Sequence, residues 1–142
     1  MTQKEMEDKL REIKIIYGDR SRDLIAAHQP KITEIEGEIE TAKTEHDQKV
    51  IDLHEEYQKL NTQEVEFRRQ GLTHLSAEVD NIRRQKDDNK NRTRRLHLAF
   101  NQKMHELKIR LSAAKIELNT ALGNNAQMRN KAKKEVCEKL NK

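Results

Sequence analysis

The chain is poor in almost everything from which a globular core or an active site is built. Its 142 residues hold one proline, four glycines, one cysteine, no tryptophan, and two each of tyrosine and phenylalanine. Hydrophobic residues make up 33% against 38% charged, too little apolar side chain to close a globular core at this length. Disordered chains of such polarity are rich in proline and glycine and lack a regular apolar seam, so the scarcity of both argues for helix. No apolar run approaches the roughly 18 residues of a membrane span, and Met1-Thr2-Gln3-Lys4-Glu5 carries no apolar signal-peptide core. The expected setting is therefore intracellular, without membrane insertion. With Cys137 alone, an intrachain disulfide and a cysteine metal cluster are excluded, and Cys137 reads as a small residue beside a seam.

What the chain does have is periodicity. From Lys31 to Lys142 it runs 112 residues without proline, and apolar residues return every three or four positions. The first block is Met6, Leu10, Ile13 and Tyr17, then Leu24 and Ala27. After Pro30 the seam resumes, displaced by one residue, as Ile32, Ile35, Ile39 and Ala42. It continues through His46, Val50, Leu53, Tyr57, Leu60, Glu64 and Phe67, then Leu72, Leu75, Val79 and Ile82. Steps of four around His46 and Gly71 are stutters that unwind a supercoil, and Gly71 reads as a mild bend. The next core positions, Lys86, Asn89 and Thr93, are polar. Beyond them come Leu96, Phe100, Met104, Leu107, Leu111, Ala114, Leu118, Ala121, Asn125 and Met128.

This pattern predicts an all-α fold, an elongated coiled coil with a short helix before Pro30 and a long helix after it. Proline removes a backbone donor and clashes with the preceding turn, at about 3 kcal/mol, so a kink or break is expected there. Four segments follow: a short helix over 1–29, an acidic-to-neutral coiled-coil segment over 30–85, a polar basic interruption over 86–95, and a basic coiled-coil segment over 96–142. A chain of this kind is expected not to fold back on itself, so its seam needs a second coiled-coil chain. Two like strands in parallel register would set Lys86 against Lys86, which favours a heteromer.

Charge is divided unevenly. Residues 1–66 carry 10 Lys or Arg against 17 Asp or Glu, and residues 67–142 carry 19 against 8. The densest basic run is Arg83, Arg84, Lys86, Lys90, Arg92, Arg94 and Arg95. It reads either as solvated surface or as a contact for an acidic partner; for the second role the candidates are Arg83, Arg84, Lys90, Arg92, Arg94 and Arg95. Nucleic acid is disfavoured, because no basic region abuts an unbroken leucine heptad and no aromatic is free to stack on bases.

Groups for catalysis do not converge. His28, His46, His54, His74, His97 and His105 form no pair three or four apart, so no two-histidine face lies on one helix. His46 falls on the seam and reads as a satisfied core histidine. No glycine loop cradles phosphate, and Glu34, Glu36, Glu38 and Glu40 alternate so that a helix scatters them. The expectation is no enzyme, no cofactor, no metal and no small-molecule substrate.

Two stretches carry a resemblance. Tyr17-Gly18-Asp19-Arg20, after Leu10, Ile13 and Ile16, is similar to a Gly-Asp/Asn-Arg step near the start of the coiled coils of the ciliary outer dynein arm docking complex. Arg110-Leu111, Ala114, Asn119-Thr120, Leu122 and Asn125-Ala126-Gln127-Met128-Arg129 resembles, in order and spacing, a segment of coiled-coil proteins in the same complex. Lys90-Asn91-Arg92-Thr93 is similar to a short run in a sister subunit. The resemblance implies one strand of a heteromeric scaffold that anchors outer dynein arms on axonemal doublet microtubules. Its partners would be another coiled-coil chain, tubulin and dynein arm components, in the cytoskeleton of a cilium or flagellum. Members of that family are longer, so this chain would be a segment or a shortened relative. Lys131-Ala132-Lys133-Lys134 departs from the more acidic continuation of the family. The residues by themselves fit equally a cytosolic tether or oligomerisation stalk without microtubule contact.

Overall fold

The computed structural model describes residues 2–140. Two helices carry the fold, α1 over Gln3–Arg69 and α2 over Ala77–Leu140, with no strand among the described residues. Among the described residues no helix is long and apolar enough to cross a membrane. The local chemistry explains where each helix starts and stops. Thr2 caps α1 by accepting the Glu5 amide on its hydroxyl at 3.2 Å, and Glu5 sits in the first turn, where a carboxylate meets the positive end of the helix dipole.

The end of α1 is a Schellman motif. Leu72 N–H donates to the Phe67 carbonyl at 3.0 Å and Gly71 N–H to the Arg68 carbonyl at 3.1 Å, while Gly71 adopts φ +86°. Gly71 is the only positive-φ residue described, and the left-handed conformation is one that glycine enters without a Cβ penalty. Thr73 then organises the entry to α2. Its carbonyl accepts the Ser76 amide at 2.9 Å, its hydroxyl accepts the Leu75 amide at 3.3 Å, and the Ser76 carbonyl takes the first α2 bond from Asp80 N–H at 3.0 Å. Glu78 and Asp80 place negative charge in the first turn of α2.

The chain divides into two compact units, one of Met1–Glu36 with Lys108–Lys142 and one of Gly37–Leu107. The Gly37–Leu107 unit is a helical hairpin. As residue numbers rise along α1 they fall along the facing α2: His46 meets His97 and Phe100, Glu56 meets Arg92, and Glu64 meets Arg83 and Lys86. The two helices are therefore antiparallel. Its buried apolar residues are Ala42, Leu60, Val79, Ile82, Met104 and Leu107, with Ile39 and Phe100 packed against the Ala42, Met104 and Leu107 cluster. Val79 is fully buried, and removing a side chain of that size from water contributes about 1.5–3 kcal/mol.

The other unit pairs the early part of α1 with the late part of α2, again antiparallel, since Tyr17 meets Asn125 and Lys31 meets Glu117. Ile32, Ile35, Ala114 and Leu118 are buried there, Ile35 at 1% exposure, while Leu10, Ile13, Tyr17, Leu24 and Leu111 are half-buried.

Four sequence expectations are corrected. First, α1 runs through Pro30 without a break. Pro30 and Ala26, whose carbonyl loses its amide donor, are both exposed residues, whereas the seam residues Ile32 and Ile35 that follow are buried, so the proline lies off the packed face of the helix. Second, the long helix expected after Pro30 is interrupted at residues 70–76, where Gly71 is the cap of a chain reversal instead of a mild bend. Third, the chain does fold back on itself, and the seam assigned to a second chain is covered within each unit by the other helix. The reason is the turn chemistry: one left-handed glycine followed by Thr73 and Ser76 is enough to reverse a long helix. Fourth, Leu75 lies in that turn at 85% exposure, and Met128, at 52%, stands beside the seam position that Asn125 and Arg129 occupy.

Candidate functional site

The polar stretch 86–95 is helical, and in the Gly37–Leu107 unit it faces α1. Its centre is Glu64, a carboxylate on the buried face of α1. Lys86 Nζ donates to Glu64 Oε2 at 2.8 Å and to Asn61 Oδ1 at 3.0 Å. Arg68, one turn along α1, donates to Glu64 Oε1 at 3.0 Å, and Arg83 reaches the same oxygen at 3.4 Å. The Lys86 and Glu64 side chains are only 14% and 12% exposed, so this ion pair is largely enclosed. Hydrogen bonds from Lys86, and then from Arg68, pull the Glu64 carboxyl from its usual 4.5 to about 2, against the opposing effect of burial.

One turn further, Asn89 is 3% exposed and its side-chain amide donates to the Leu53 carbonyl at 2.9 Å. Arg92 then pairs with Glu56 across the helices and with Asp88 on its own helix at 3.1 Å; the hydrogen bond to Glu56 is the main reason its guanidinium is held more basic than usual. Lys86 and Lys90 lie over the Tyr57 ring at 5.1 and 5.7 Å, a cation–π arrangement. Thr93 returns its hydroxyl to the Asn89 carbonyl at 2.9 Å, which satisfies it without a partner on α1. The second unit uses a related device: buried Asn125 donates to the Tyr17 carbonyl at 2.9 Å and to the Ser21 hydroxyl at 2.8 Å.

These contacts sort the basic run. Arg83 and Arg92 serve pairing across the helices, and Arg84 is tied to Asp80 at 3.0 Å on α2. Lys90 is exposed over Tyr57. Arg94 and Arg95 are exposed and make no ion pair among the described residues. The heteromer argument from Lys86 facing Lys86 no longer holds, because Lys86 faces Glu64. The sequence did carry a signal for this pairing: Glu64 and Lys86 are opposite charges at seam positions on either side of Gly71.

The remaining seam residues, Leu53, Tyr57, Phe67, Leu96 and Phe100, are half-buried in the Gly37–Leu107 unit, where a cleft of Val50, Leu53, His54, Tyr57, Asn89, Lys90 and Thr93 opens beside the Asn89 bond. Among the described residues no three or more His, Cys, Asp or Glu side chains gather in a way that could hold a metal ion. Cys137 is exposed with a free thiol. Comparison with family models, with curated proteins and with solved structures gives no match.

Proposed function

We propose that the chain is a structural protein, an antiparallel coiled coil whose exposed cations Lys90, Arg94 and Arg95 dock an acidic polymer surface. The microtubule with its acidic tubulin tails is the surface that the docking-complex resemblance points to, and the role would be one component of a heteromeric scaffold that seats outer dynein arms on axonemal doublets. The observation that carries the docking part is the contrast within one run. Arg83, Arg84, Lys86 and Arg92 are paired inside the chain, whereas Arg94 and Arg95 stand exposed and unpaired among the described residues. Exposed unpaired cations in a row attract an anionic surface with a strength that falls as salt screens them.

The test is co-sedimentation of the full chain, with its native partners, on microtubules at several salt concentrations. Binding should weaken with salt and with removal of the tubulin tails, and R94E with R95E should release the protein while its helicity stays unchanged. Binding that is absent, or insensitive to salt and to the two reversals, would overturn the docking reading.

A second reading is favoured by a specific observation. Four of the seven cations of the basic run, Arg83, Arg84, Lys86 and Arg92, are paired within the chain, so these four need no external partner to explain them. On this reading the chain is a cytosolic tether or oligomerisation stalk, and R94E with R95E leaves its associations untouched.

A further inference from the structure

A cleft of about 310 Å³ lies between α1 and α2 in the Gly37–Leu107 unit, and the polar network leaves it unused. Val50, Leu53 and Tyr57 of α1, at helical steps of three and four, form its floor together with Thr93 of α2, and all four are half-buried. Lys90 and His54 stand exposed at its rim. Asn89, also in the lining, spends its amide on the Leu53 carbonyl. No carboxylate is among the lining residues. A second cleft that shares Leu53 differs in this respect: its cations Lys49 and Arg92 are balanced by Asp52 and Glu56.

We propose that this cleft seats one large apolar side chain of an acidic peptide segment, whose flanking carboxylates meet Lys90 and Arg94. The lining selects both halves of that ligand. Val50, Leu53, the Tyr57 ring and the Thr93 methyl offer apolar surface whose removal from water is favourable. The Lys90 amine stands 5.7 Å from the Tyr57 ring centre and makes no ion pair among the described residues, so it is a cation at the cleft mouth without a carboxylate to neutralise it. Arg94 follows one helical turn later, exposed and likewise without an ion pair among the described residues. Charge complementarity therefore favours an anionic partner here and not at the second cleft, where acids and bases are equal in number. A half-buried floor suits a side chain carried by a longer segment, whereas a free small molecule binds where most of its surface is enclosed. The inference rests on the docking reading in using Lys90 and Arg94, and it adds an apolar anchor that a purely electrostatic contact lacks.

The probes are two acetylated, amidated heptapeptides, one of phenylalanine flanked on each side by three glutamates and one with alanine at the centre. Each is titrated into the full chain and followed by the methyl resonances of Val50 and Leu53. The phenylalanine peptide should move both sets of methyls and bind about tenfold or more tightly than the alanine peptide, the scale of burying one aromatic side chain. Because Lys90 is exposed, Lys90→Glu should keep the helicity while weakening the phenylalanine peptide by about threefold or more. Lys59→Glu, exposed and outside the cleft lining, should not weaken it. Equal affinities for the two peptides, unmoved Val50 and Leu53 methyls, or no binding at millimolar peptide would overturn the proposal. Salt-sensitive microtubule binding alongside equal peptide affinities sinks the anchor and leaves docking standing. Anchor-dependent peptide binding without microtubule binding does the reverse.

Discussion

Replacing glycine by alanine should change stability with opposite sign at different glycines of this chain. At Gly37 and Gly123 a Cβ would meet nothing within 4 Å, and both lie inside helices. Each Gly→Ala there should stabilise by about 0.8–1 kcal/mol, the difference in helix propensity. At Gly71 a Cβ also meets nothing within 4 Å, so no clash arises, but φ is +86°. An alanine must be held in the left-handed region at a cost of about 1–2 kcal/mol. For a chain near this length 1 kcal/mol moves the thermal midpoint by about 2–4 °C. Circular dichroism melts should therefore show Gly37→Ala and Gly123→Ala a few degrees above the parent and Gly71→Ala a few degrees below. A continuous helix through Gly71 requires all three to rise. A stabilising Gly71→Ala would refute the chain reversal.

Four further outcomes follow from the packing and the polar network. Glu64→Gln should destabilise by about 2–4 kcal/mol, between the value of a hydrogen bond to a charged group and that of a broken buried pair, as read by urea denaturation near neutral pH. The same carboxylate gives an acid signature: its folded-state value lies below the unfolded one, so its contribution is full above about 4.5 and is lost as pH falls towards about 2, a slope that Glu64→Gln should flatten. Asn89→Leu should keep helicity while loosening the register, because the amide that fixes α2 to the Leu53 carbonyl is gone; a single set of amide resonances in the variant would count against that role. Ile35→Ala should cost about 2–5 kcal/mol, whereas Ile15→Ala, 57% exposed in the parent, should stay within about 0.5 kcal/mol.

The seam was legible because helical burial depends on spacing alone. Ile32, Ile35, Ala42, Leu60, Val79, Ile82, Met104 and Leu107 recur at threes and fours and are buried, and even the polar seam positions Glu64, Asn89 and Asn125 are buried. What covers the seam was not legible from periodicity, since the same stripe can face another chain or a later part of its own. The deciding signal is local and small: Gly71 with Thr73 and Ser76, which supply one left-handed residue and three turn bonds. Pro30 misled in the other direction, because its cost depends on whether the freed carbonyl faces water, and that follows from packing. Candidate functional residues were least legible. Whether a cation such as Arg92 or Arg94 is engaged depends on a carboxylate tens of residues away, and Tyr57 and Lys90 meet only once the chain has turned.

The central claim is that α2 folds back on α1 within one chain. The direct test is a distance between spin labels at Glu55 and Asn91, exposed neighbours of the Glu56–Arg92 pair, in a chain carrying Cys137→Ser and diluted with unlabelled protein. Facing helices about 8–10 Å apart predict a short separation, under about 30 Å with the label arms, that survives dilution. A continuous helix would set the two sites about 54 Å apart at a 1.5 Å rise per residue, and that long distance, or a short one that vanishes on dilution, would contradict the account.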